Sequence, residues 1–89
     1  MKVSNNNCRY YVQNRLRFKG SNLYGETIND CYVVYSYGRH WPLFAFKDGI
    51  WYENYEKRSV STSKQKTQCH PHYTTVMKST KQLLDLIGN

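Results

Sequence analysis

The residues best equipped for chemistry cluster at Cys69-His70-Pro71-His72, with Cys8, Cys31 and His40 scattered elsewhere in the chain. Thiolate and imidazole are zinc ligands, but a structural zinc site takes four of them, usually as two spaced pairs. Cys8, Cys31 and His40 supply no second pair, so no metal is assigned. His40 with Cys31 or Cys69 would make a nucleophile and its base only if the fold joined them, and no local motif supports that pairing. The chain has no Walker loop, dinucleotide fingerprint, nucleophile elbow or HExxH helix. The expectation is a protein that is not an enzyme and needs no cofactor.

Charge is the stronger signal. The 89 residues carry a formal charge of +7, and its distribution says more than its total. Residues 1–25 hold Lys2, Arg9, Arg15, Arg17 and Lys19 and no acid. Residues 26–56 are net acidic, and from Lys57 onward Lys57, Arg58, Lys64, Lys66, Lys78 and Lys81 face Asp85 alone. Basic flanks around an acidic centre suit a polyanionic partner, nucleic acid first and an acidic protein surface second. The same charge would also keep a tyrosine-rich surface in solution.

These side chains must be positioned by a core, and one window can supply it. Cys31 to Asn54 holds both tryptophans and two of the three phenylalanines. Cys31 to Tyr37 is β-branched and aromatic on both alternating faces, which predicts a strand covered on both sides. Gly38 to Pro42 interrupts it. Leu43 to Lys47 and Ile50 to Tyr52 flank Asp48-Gly49, a strong two-residue hairpin signal, so residues 31–54 read as an antiparallel meander. Arg9 to Lys19 alternates, with Tyr10, Val12, Leu16 and Phe18 on one face and Arg9, Tyr11, Gln13, Arg15, Arg17 and Lys19 on the other. That predicts a half-buried basic strand, with a helix over residues 8–16 as the alternative.

Residues 1–7 are expected to fray, and Gly20 to Asp30 to form a loop anchored by Leu23 and Tyr24. Residues 55–72 read as a polar basic loop whose hydroxyls and cations, from Ser59 to Thr67, form the mixture that surrounds phosphate oxygens. Tyr73 to Met77 is a plausible last strand. Ser79-Thr80-Lys81-Gln82 has capping-box form before an apolar stripe that ends at Gly88, which predicts a helix near residues 80–87. The predicted fold is one α+β domain over residues 1–89: a small antiparallel sheet of four to five strands with one C-terminal helix.

The run Tyr35-Ser36-Tyr37-Gly38-Arg39-His40-Trp41-Pro42-Leu43, then Trp51-Tyr52-Glu53-Asn54 and Ser59-Val60-Ser61-Thr62-Ser63-Lys64, resembles a family of small bacteriophage and mobile-element proteins. Its pattern is YSYGxHxPL, W-Y-x-N and S-V-T-T-S-K/R-H-Q. The match covers about residues 31–70. Gln65 stands where the family has histidine, so no role of that histidine carries over. The family has no settled activity, and the resemblance implies a phage or plasmid origin more than a chemistry.

Charge, exposed aromatics and the lack of catalytic motifs favour a non-catalytic binding protein. It would contact nucleic acid, DNA or RNA, through Arg9, Tyr11, Arg15, Arg17 and Lys19 with Lys57, Arg58, Lys64 and Lys66, since tyrosine beside arginine suits base stacking. The alternative is a phage inhibitor or adaptor, of the anti-defence or anti-CRISPR type, that docks on an acidic host protein through Tyr37, Arg39, His40 and Trp41. No apolar run is long enough for a membrane span and the N-terminus has no signal-peptide core, so a cytoplasmic location in the host cell is expected. A basic edge strand could pair across a two-fold axis to make a dimer.

Overall fold

The computed structural model of the protein describes residues 2–3, 7–20, 22–36, 41–56, 67 and 69–88. They form a mixed sheet of seven strands in chain order: β1 (Lys2–Val3), β2 (Phe18–Gly20), β3 (Leu23–Ile28), β4 (Cys31–Ser36), β5 (Pro42–Lys47), β6 (Ile50–Asn54) and β7 (Thr75–Lys78). A six-residue helix, α1 (Cys8–Gln13), covers one face and an eight-residue helix, α2 (Thr80–Ile87), covers the other. The α+β class holds, but the sheet has more strands than expected and is not wholly antiparallel. β1 pairs parallel with β2, and β7 pairs parallel with β6.

β4 is buried at all six positions, as its unbroken apolar run requires. Tyr32 and Val34 face α1 together with Phe18, Leu23, Phe44, Trp51, Cys8, Val12 and Cys69. Cys31, Val33 and Tyr35 face α2, where Leu83 and Ile87 pack on them and on Ala45. Asp48 and Gly49 both take positive φ, so the β5–β6 connection has the primed geometry that suits strand twist. The register pairs Phe46 with Trp51 across it.

α2 starts and stops as its sequence predicts. Ser79 accepts from the Gln82 amide and Gln82 reaches back to the Ser79 amide, while Gly88, with φ +96°, closes the C-terminus in the left-handed region. The Glu56 carboxylate accepts from the Thr80 amide at 2.6 Å, and Lys47 Nζ donates to the Leu86 carbonyl at 3.2 Å. Each charge complements the helix dipole at its end.

Three expectations fail for physical reasons. The predicted strand over Arg9 to Lys19 gives way to its alternative, a helix, which runs as α1 over Cys8–Gln13 and is followed by a crossover, and only Phe18–Gly20 pairs as a strand. Cys8 and Val12, one helical turn apart, are buried, while Tyr10 and Leu16, which strand alternation would put on the same face as Val12, are exposed. The predicted loop Gly20 to Asp30 contains β3, which pairs with β4 over its whole length and turns through Asn29 and Asp30, both at positive φ. Gly25 is needed in that strand because a Cβ there would strike the Phe18 ring and the Tyr32 hydroxyl. Lys2 and Val3, expected to fray, pair with Lys19 and Gly20.

Candidate functional site

α1 ends in a Schellman arrangement: the Arg15 amide donates to the Val12 carbonyl at 3.1 Å and the Leu16 amide to the Tyr11 carbonyl at 2.8 Å. Glycine usually occupies this left-handed position, yet here Arg15 takes it with φ 53°. A non-glycine residue there is strained by about 1–2 kcal/mol. The strained backbone carries the chain across the end of the sheet, where the Tyr32 hydroxyl donates to the Leu16 carbonyl at 2.7 Å. The Arg15 guanidinium lies 4.6 Å from the Phe46 ring centroid.

This cation borders an open concavity of about 530 Å³ lined by Arg15, Phe46, Gly49, Ile50, Trp51, Tyr73, Thr74 and Val76. Among the described residues that line it, three are aromatic and none is acidic. Phe46 and Trp51 pack at 5.0 Å between centroids, and Tyr73 is 54% exposed. Sequence reasoning named Arg15 but missed Phe46, Trp51 and Tyr73. The Asp48-Gly49 hairpin already implied that Phe46 and Trp51 are opposite one another, so half of this wall was available from the sequence.

The other expected ligands separate. Arg17 is exposed on the α1–β2 crossover, with no hydrogen bond or ion pair among the described residues. Lys19 is exposed on β2, where it pairs in register with Tyr24 and, by strand alternation, points to the opposite face from Phe18. Arg9 is not displayed for a ligand: its Nε donates to the His70 carbonyl at 2.8 Å and its Nη2 to the Thr67 carbonyl at 2.6 Å. Tyr11 is half-buried against the core, 5.9 Å from the Phe18 ring. Lys57, Arg58, Lys64 and Lys66, and in the alternative set Tyr37, Arg39 and His40, lie outside the described residues. Trp41 is half-buried and packs against the α1-side core.

The cysteine–histidine cluster is built into that core. Cys69 and Pro71, at the end of the polar basic loop expected over residues 55–72, are buried. His70 Nε2 faces Glu53 Oε1 at 3.1 Å, and the His72 amide donates to His70 Nδ1 at 2.9 Å. With Nδ1 accepting, Nε2 carries the proton and donates to Glu53, so both ring nitrogens are committed. The Thr75 hydroxyl donates to the same carboxylate oxygen at 2.8 Å. Burial pushes the Cys8 thiol up to about 11 and raises those of Cys31 and Cys69 as well, which disfavours the reactive thiolate. Among the described residues no three of His, Cys, Asp and Glu are grouped to hold a metal, and no helix is long and apolar enough to cross a membrane.

Compared with known proteins, the chain matches no family model, no curated protein and no solved structure.

Proposed function

We propose that this chain is a small, non-catalytic binding protein that contacts nucleic acid through the crossover between α1 and β2, with Arg15 and Arg17 as its principal phosphate ligands. The observation that carries this is the placement of Arg15: a cation held in a strained backbone conformation, over an aromatic ring, at the rim of a concavity with no acidic residue among the described ones that line it. Strain of this kind persists where function retains it. Arg17 extends the positive surface, and Lys19 continues it to the other face of the sheet. Phosphate neutralisation by two or three such cations gives affinity that falls with salt and discriminates little between sequences.

Capture from a bacterial lysate, with and without nuclease treatment, distinguishes this function from that of an inhibitor or adaptor that occludes a host protein. Nucleic acid recovered with the untreated protein, and loss of every partner after nuclease, is the expected result. A protein partner retained after nuclease would replace the nucleic-acid function with the adaptor one.

A further inference from the structure

We propose that the concavity at the β5–β6 turn holds one unpaired nucleobase, stacked on Tyr73, with the adjoining phosphate on Arg15, so that the protein takes single-stranded rather than duplex nucleic acid. This rests on the nucleic-acid function above and specifies its ligand.

The lining matches such a ligand in shape and in charge. Phe46, Trp51 and Tyr73 provide ring surface, and Ile50 and Val76 complete an apolar wall. A volume of about 530 Å³ falls in the range of small-ligand sites, roughly 300–1,000 Å³. Base–aromatic stacking tolerates any sequence because every base has a flat face, but a base already paired inside a duplex cannot enter. Gly49 leaves the mouth open, since nothing lies within 4 Å of where its Cβ would stand.

Arg15 supplies the anion contact at the same rim. One face of its guanidinium lies on Phe46, and its one hydrogen bond among the described residues is a long one, from Nη1 to the Gln13 carbonyl at 3.4 Å. Its remaining N–H donors meet no acceptor among the described residues and suit a phosphate oxygen. A second concavity, on the α2 face, offers a contrast. It is lined by Tyr52, Lys78, Gln82, Asp85 and Leu86, so a carboxylate faces any anion that Lys78 would attract.

The test titrates a labelled oligothymidylate of about 12 nucleotides, within the roughly 4–16 nucleotides that one small fold engages, and its duplex with oligoadenylate. The wild-type protein, Tyr73→Ala, Tyr73→Phe and Arg17→Glu are compared. The wild type is expected to bind the single strand at least tenfold more tightly than the duplex. Tyr73→Ala should lose on the order of tenfold in affinity with an unchanged salt slope, whereas Tyr73→Phe, which keeps the ring, should bind as the wild type does. Equal affinity for duplex and single strand would overturn the proposal, as would equal losses in Tyr73→Ala and Tyr73→Phe. If Tyr73→Ala binds normally while Arg17→Glu does not, the stacking site falls and the nucleic-acid function stands. If the wild type binds neither oligonucleotide, both fall together. Tyr73 is exposed and precedes β7, so its variants leave the core intact.

Discussion

Arg9 Nε donates to the backbone carbonyl of His70 at 2.8 Å, joining α1 to the segment that leads into β7. Two features that look like chemistry in the sequence, a basic residue and a cysteine–histidine cluster, are thus used to hold each other in place. Gln13 reinforces the link by donating to the Pro71 carbonyl at 2.9 Å. Hydrogen bonds from a charged donor contribute about 1.5–3 kcal/mol, and partial exposure reduces that here. Arg9→Ala should therefore destabilise the fold by about 1–2 kcal/mol in urea unfolding, while the salt dependence of nucleic-acid binding stays as in the wild type. A reduced salt slope with unchanged stability would return Arg9 to the binding surface.

Arg15 makes the opposite trade. Replacing it with glycine removes left-handed strain of about 1–2 kcal/mol. It also removes a cation–π contact worth about 0.5–1 kcal/mol at an exposed site and adds unfolded-state entropy of about 0.5–1 kcal/mol. Arg15→Gly should leave unfolding free energy within about 1 kcal/mol of the wild type yet weaken nucleic-acid binding and lower its salt slope by about 0.7 for a single strand. Loss of stability without loss of binding would make Arg15 a structural residue.

Several residues of the runs 35–43 and 51–54 also have structural duties. Ser36, Pro42, Leu43, Trp51 and Asn54 are buried. The Ser36 amide donates to the Trp41 carbonyl at 3.0 Å, which ties the end of β4 to the residue before β5. Asn54 Nδ2 donates to the Pro42 carbonyl at 2.8 Å and to the Thr80 hydroxyl at 2.9 Å, and its Oδ1 accepts from the Glu56 amide at 2.8 Å. One buried amide thereby ties β6 to β5 and to the start of α2. Asn54→Ala should cost about 2–4 kcal/mol, since it leaves buried groups without partners. Chemical denaturation would detect this as a lowered midpoint, and an unchanged midpoint would contradict the network.

Acid should loosen α2 through Glu56. Its carboxyl is held below the ordinary value of 4.5 by hydrogen bonds from the Thr80 side chain and amide. A depressed folded-state value means that the contribution is complete above about 4.5 and fades as pH falls through the lower folded value. The thermal midpoint of the wild type should therefore drop more between about pH 5 and pH 3 than that of Glu56→Gln, which has no proton to take up there. Parallel pH profiles for the two proteins would rule out this link.

What the sequence could reveal depended on whether the pattern was local. The Asp48-Gly49 hairpin, the fully covered β4 and the capped α2 are set by neighbouring residues, and all were readable. α1 was readable only as the second choice, a helix over residues 8–16, because helical spacing places arginines among the apolar positions. Arg9 has carbonyl partners about 60 residues away, at Thr67 and His70, and Arg15 lies just past the helix end on Phe46. β3 was hidden by Gly25, which signals a loop in isolation but here makes room for Phe18 and Tyr32. The parallel pairing of β7 depends on a long connection that no short-range pattern specifies. The aromatic concavity was missed for the same reason: Tyr73 and Arg15 meet Phe46 and Trp51 only once α1, β6 and β7 are assembled.

The most direct measurement is the affinity of the wild type and of the Arg15→Glu/Arg17→Glu double variant for a labelled single-stranded oligonucleotide, read from about 50 to 200 mM salt. The expected result is tight wild-type binding at low salt, with log affinity falling linearly against log salt, and little or no binding by a double variant that unfolds as the wild type does. A wild-type protein that fails to bind at about 50 mM salt, or a folded double variant that binds equally well, would contradict nucleic-acid binding through this crossover.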